Sequence, residues 1–98
     1  MVRIERLEGR QGEPTEYVEF RLVDDKIGYL KLCYFAQKSG EHWLAWENYR
    51  TAPAVLTTFG ARNEGMGQYA RDMAIEYALE RAAIVSRAMN RLMKGDVK

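Results

Sequence analysis

The chain predicts an α+β fold, an antiparallel β-meander of three to five strands packed on one long C-terminal helix. Three observations carry this. Apolar and polar residues alternate with period two over residues 17–23, and the two following segments repeat the pattern between polar turns. Strong helix formers then dominate residues 67–94, with no glycine or proline between Gln68 and Lys94. Finally, the length of 98 residues suffices for one core, and 47% hydrophobic with 30% charged residues is the composition of a globular domain. Residues 1–98 are therefore read as a single domain.

Each element has its own signal. Residues 2–7 read as a short first strand, followed by turn chemistry in Gly9, Gly12 and Pro14. In residues 17–23, Val18, Phe20 and Leu22 share one face, while Tyr17, Glu19 and Arg21 share the other. Asp24-Asp25-Lys26 is a polar turn. Residues 27–35 form the next strand, with Leu30, Leu32 and Tyr34 opposite Tyr29, Lys31, Cys33 and Phe35. A second turn is predicted over residues 37–41. Residues 42–49 follow as a strand that sends Trp43 and Trp46, three apart, to opposite faces. The sheet thus carries aromatic side chains on both faces. One helix covers one of them, and the other calls for the N-terminal strand, a partner chain or a ligand. Thr51-Ala52-Pro53 marks a break. Residues 54–59 favour a strand over a short helix through their β propensity. A glycine-rich loop over residues 60–67 leads into the helix, which Gly95 ends as a C-cap residue.

A straight helix of about 28 residues is about 42 Å long, against a diameter of roughly 32 Å for a compact domain of this size. It must therefore overhang the sheet or break, and its continuity past Glu80 is open at this level. Asp72, Glu76, Glu80, Arg87, Asn90, Arg91 and Lys94 gather in an arc of about 100°, and most of the remaining circumference is apolar. Arg71 and Arg81 interrupt it. Ala70, Ala74, Ala78 and Ala82 form a ridge of small residues that permits close helix approach. With Met89, these alanines are the predicted dimer interface. Acidic residues occupy the first half of the helix and basic ones the second. That order complements the helix dipole, and it also suits an antiparallel pair of identical helices.

Few function classes survive the composition. Fifteen basic and fourteen acidic side chains leave a net charge of +1, which disfavours nucleic acid as the partner. No apolar run approaches the roughly 18 residues of a membrane span, and residues 1–6 lack the apolar core of a signal peptide. The lone Cys33 cannot form an internal disulfide, so a reduced, cytoplasmic setting is expected. His42, the single histidine, has no cysteine or carboxylate partners at ligand spacing, and no metal is expected. Cys33 lies mid-strand with only Lys31 beside it, a structural position more than a nucleophilic one. Asp24 and Asp25 read as solvated turn residues. Tyr29, Tyr34, Phe35, Trp43 and Trp46 are the side chains a base-stacking platform would use, although Glu19 and Glu47 dilute the positive charge such a platform needs.

Residues 62–67, Arg-Asn-Glu-Gly-Met-Gly, open the long helix. Glycines before a helix N-terminus let a phosphate approach free amides. Arg62, Gly65 and Gly67 match the pattern Gln/Arg-x-x-Gly-x-Gly/Ala, and the segment resembles the acyl-CoA loop of GNAT acetyltransferases. The resemblance spans about 20 residues counted with the flanking strand and helix. It implies acetyl-CoA as cofactor, with its pyrophosphate on this loop. Against the family's pattern, the residues after Ala83 read as continued helix.

The favoured function is a non-catalytic protein-binding module and homodimer. A small inhibitor or regulator of the mobile-element kind, such as an anti-CRISPR protein, would act in this way by occupying a partner protein's surface. Arg21, Tyr29, Trp43, Trp46 and Arg50 are the candidate partner-binding residues, because aromatic and arginine side chains make the strongest interface anchors. The alternatives are a GNAT-like N-acetyltransferase using Arg62, Gly65 and Gly67, and a nucleic-acid-binding domain using the aromatic sheet face.

Overall fold

The computed structural model describes residues 1–9, 16–50, 52–60 and 69–94. Five strands, β1 (Val2–Glu8), β2 (Tyr17–Asp24), β3 (Gly28–Ser39), β4 (His42–Tyr49) and β5 (Ala52–Phe59), precede one helix, α1 (Ala70–Met93). The strands form one antiparallel sheet in chain order, and α1 lies across it. This is the expected α+β meander with all five strands present. The molecule is a slab of 49 × 31 × 20 Å, its thin axis set by one sheet and one helix.

Two strands run longer than their hydrophobic pattern implies. β3 continues through Gln37, Lys38 and Ser39, so the second hairpin turns on Gly40 and Glu41 alone. Gly40 has φ +62°, while Glu41 keeps a negative φ, the combination of a type II′ turn. Polar residues extend β3 without penalty because this end of the sheet is open to solvent. β5 likewise starts at Ala52, inside the predicted break. Pro53 is tolerated there because β5 is an edge strand.

The helix does not break. It continues past Glu80 to Met93, about 36 Å of helix. It crosses all five strands on a diagonal. Ala70 and Ala74 pack with Trp43, Ala36 and Phe59, and Ala78 and Ala82 pack with Val18, Phe20, Leu22, Leu32 and Tyr34. Ser86 and Asn90 reach β1, and the turn beyond them leaves Leu92 and Met93 exposed. The overhang is therefore confined to the last turn.

Ala70, Ala74, Ala78 and Ala82 are fully buried against the chain's own sheet. This corrects their assignment to a dimer seam. Met89 also packs on the sheet-facing core. Positions four apart advance by about 40° beyond a full turn on an α-helix, so the buried stripe winds around α1. A twisted sheet presents a surface that follows this winding. Both arginines that interrupt the apolar surface are accommodated. The Arg71 guanidinium lies 5.9 Å from the centre of the Trp43 ring, a cation–π contact, and Arg81 is half-buried with its Nε shielded from solvent.

Two polar devices finish the first strand. The Val2 N–H donates to Asn90 Oδ1 (2.7 Å), and Asn90 Nδ2 donates back to the Val2 carbonyl (3.0 Å), which also accepts from Ser86 Oγ (3.2 Å). In the first hairpin the buried Asp24 Oδ1 accepts the N–H groups of Lys26 (2.8 Å) and Ile27 (2.9 Å). These bonds from Ile27 and Lys26 hold the Asp24 carboxyl below its ordinary pKa.

Enlarging a ridge position should be costly. Ala78→Leu is expected to lose about 1–3 kcal/mol in urea unfolding, whereas Leu79→Gln, one residue on and exposed, stays within about 0.5 kcal/mol. Because the Asp24 pKa is depressed on folding, its contribution is present above the unfolded carboxylate pKa of about 4 and is lost as pH falls through the lower folded value. Asp24→Asn should flatten the acid limb of a stability-versus-pH curve.

Candidate functional site

Among the described residues, none forms a layer over the side of the sheet away from α1, and the strand register fixes what that side displays. One row across the strands runs Leu7, Glu19, Phe35, Trp46 and Val55. The next runs Glu5, Arg21, Cys33, Asn48 and Pro53. Tyr17, Gln37, Leu44 and Thr58 form a third row.

Aromatic side chains dominate the first row. The Phe35 and Trp46 rings stack with centroids 6.1 Å apart and planes within 8°. Tyr17 meets Phe35 edge-on at 6.5 Å. Arg3 and Arg21 on this face are each paired with a carboxylate. The Arg21 guanidinium lies 3.1 Å from Glu19 and 4.8 Å from the centre of the Tyr29 ring, and Arg3 pairs with Glu5 at 2.9 Å. Trp46 Nε1 and Asn48 Oδ1 are shielded from solvent without a hydrogen-bond partner among the described residues.

A bulge in β3 shapes the polar half. Arg21 pairs with Cys33 and Val23 with Tyr29, so two residue steps on β2 face four on β3. Lys31 absorbs the excess at φ +59°, and Leu30 and Leu32 keep the shared helix-facing side of a regular strand. Residues four apart in a regular strand lie about 13 Å apart, but here Tyr29 and Cys33 are drawn together as neighbours. Glu19, Arg21, Tyr29 and Cys33 thereby form one cluster.

The cluster does not activate its thiol. Burial, and then the negative charge of Glu19, push the Cys33 thiol up to about 11. Burial and the same thiol push the Tyr29 phenol up to about 12. A nucleophilic cysteine needs the opposite shift. Across the sheet, the Tyr34 hydroxyl donates to Glu47 (3.0 Å), and burial raises that phenol to about 12 as well. Among the described residues, no group of three His, Cys, Asp or Glu side chains could hold a metal. No helix of the described residues is long and apolar enough to cross a membrane.

The predicted partner-binding residues separate. Arg21, Tyr29 and Trp46 share the uncovered face. Arg50 lies in the β4–β5 turn at its end, with φ +59°, its N–H donating to the Lys31 carbonyl and its guanidinium over Tyr49. Trp43 is on the other side, 6% exposed beneath α1, and belongs to the core. Arg62, Gly65 and Gly67 fall outside the described residues. Sequence reasoning passed over Glu19 and Cys33 as members of a cluster. Their shared parity with Arg21 and Tyr29 was legible, but the bulge that gathers them was not.

No protein-family model matches the chain, and no curated protein or solved structure matches it either.

The thiol can be tested directly. A pKa of about 11, against an ordinary 9.0, leaves about a hundredfold less thiolate at pH 8. Iodoacetamide should alkylate folded Cys33 about a hundredfold more slowly than the urea-unfolded chain. Equal rates would mean that the cluster does not suppress the thiolate.

Proposed function

We propose that the chain is a non-catalytic protein-binding module that docks a partner protein on the uncovered sheet face. The observation that carries this is the Phe35–Trp46 stack, extended by Tyr17 and Val55, on a face that no other element of the described residues covers. Stacked aromatics supply large contact area at little cost in side-chain freedom, as interface anchors do.

Three features favour this use of the face. Both sheet edges are blunted against strand addition, β5 by Pro53 and β1 by Asn90 at Val2. The arginines of the face are matched by Glu5 and Glu19, so a phosphate backbone finds little uncompensated charge there. The same neutrality suits a folded partner that presents an apolar, uncharged patch. The thiol of the face is shifted away from nucleophilic use. A small inhibitor or regulator, of the kind carried by mobile elements such as the anti-CRISPR proteins, would work by this occupation of a surface. That class is inferred by elimination.

The test is affinity capture from extracts of the source cell, quantified by mass spectrometry, with wild type, Phe35→Ala/Trp46→Ala and the exposed control Leu92→Ala. A partner should be retained by wild type and control and lost from the double variant, which keeps its circular dichroism spectrum. For a purified partner, Trp46→Ala should weaken binding by about 30-fold or more, the effect of an interface hot spot. Equal retention by all three proteins would place the docking surface elsewhere. Acetyl-CoA binding to the purified chain in calorimetry would favour the acetyltransferase reading, and binding of a single-stranded oligonucleotide with steep salt dependence the nucleic-acid one.

A further inference from the structure

The buried ridge leaves the opposite arc of α1 in solvent, and that arc carries a charge pattern the isolated domain does not use. Asp72, Glu76 and Glu80 are exposed along its first half, and Arg87 and Arg91 along its second. Among the described residues, Glu76, Glu80, Arg87 and Arg91 make no ion pair within the chain.

Two ordinary explanations fall short. Dipole complementarity acts within the first and last turns, so it covers Asp72 and Arg91. Glu76 and Glu80 lie beyond the first turn, and Arg87 precedes the last. Exposed helices otherwise gain from opposite charges four residues apart. Here Asp72–Glu76, Glu76–Glu80 and Arg87–Arg91 set like against like, which is mildly destabilising in a lone helix.

A second copy of the chain resolves both. We propose that the outer face of α1 is the seam of an antiparallel homodimer, with its two-fold axis beside Ala83 and Ile84. About that axis Glu80 meets the partner's Arg87, and Glu76 meets the partner's Arg91. Each contact occurs twice, as an isologous interface requires. The axis falls where the helix surface is least charged. Ala83 is small enough for close approach, and Ile84 and Leu79, 43% and 41% exposed, flank it. Exposed ion pairs contribute little singly, so the association should be weak and salt-sensitive. This seam is separate from the sheet face proposed to bind a partner, and either can fail without the other.

Sedimentation equilibrium from 10 µM to about 1 mM, at 25 and 500 mM NaCl, reads the association over a wide range of screening. Wild type should dimerise at low salt, with a dissociation constant at least tenfold weaker at high salt. Glu76→Lys/Glu80→Lys and Arg87→Glu/Arg91→Glu should each be monomeric while keeping the wild-type circular dichroism spectrum. Mixing the two should restore a one-to-one dimer, because an arc basic at positions 76, 80, 87 and 91 then meets one acidic at the same four positions. A wild type monomeric at 1 mM and low salt overturns the proposal. So does a dimer that persists in both charge-reversed variants. If Phe35→Ala/Trp46→Ala dissociates such a dimer, the seam is the sheet face.

Discussion

The approach of one helix to one twisted sheet governs this structure. Ala70, Ala74, Ala78 and Ala82 bring the backbone of α1 close to the strands, and the large side chains that fill the core come from the sheet. The bulk is thus carried by Phe20, Leu22, Leu32, Tyr34 and Trp43, each on the helix-facing side. Larger residues on the ridge would lift the helix and open voids among these side chains. The same geometry decides which surfaces remain. Among the described residues a single helix spans the sheet once, so none of them covers the aromatics of the far face or the outer arc of α1.

The β3 bulge is the second constraint, because it sets the two faces apart in character. Two extra residues beside Leu22 leave Leu30 and Leu32 both on the core side without reversing the strand's alternation. On the other side they compress the strand and bring Tyr29 to Cys33. Local strain at Lys31 therefore spares core packing and gathers a polar cluster. Arg50, in the same backbone region, donates to the Lys31 carbonyl and continues the β3–β4 pairing beyond Leu32 and Tyr49.

Most of the fold was legible because alternation and helix propensity are local signals. Trp43 and Trp46 were assigned to opposite faces from spacing alone, and the structure places them so. Spacing does not say which face is covered, so both tryptophans were read as partner contacts although Trp43 lies under the helix. The alanine ridge was recognised as a close-packing surface, but its neighbour was misjudged. Small residues specify proximity to something, and the sequence pattern does not distinguish a sheet of the same chain from a second molecule. The bulge was invisible because Leu30, Lys31 and Leu32 alternate like any regular strand. Its existence depends on the count of residues in the facing strand.

The link between Asn90 and Val2 bears on how the chain reaches this state. These residues are separated by 88 positions, and their hydrogen bonds close the sheet's first edge. A meander assembles from local hairpins, each of which can form as its two strands emerge. The edge closure instead joins residues far apart in the chain, and the entropy of that large loop must be met before the contact contributes. Synthesis therefore delivers a paired but unbacked sheet first, with Phe20, Leu22 and Tyr34 still in water. The element that shelters them, α1, follows all five strands in the chain, which leaves the nascent domain most prone to aggregation just before its helix is complete.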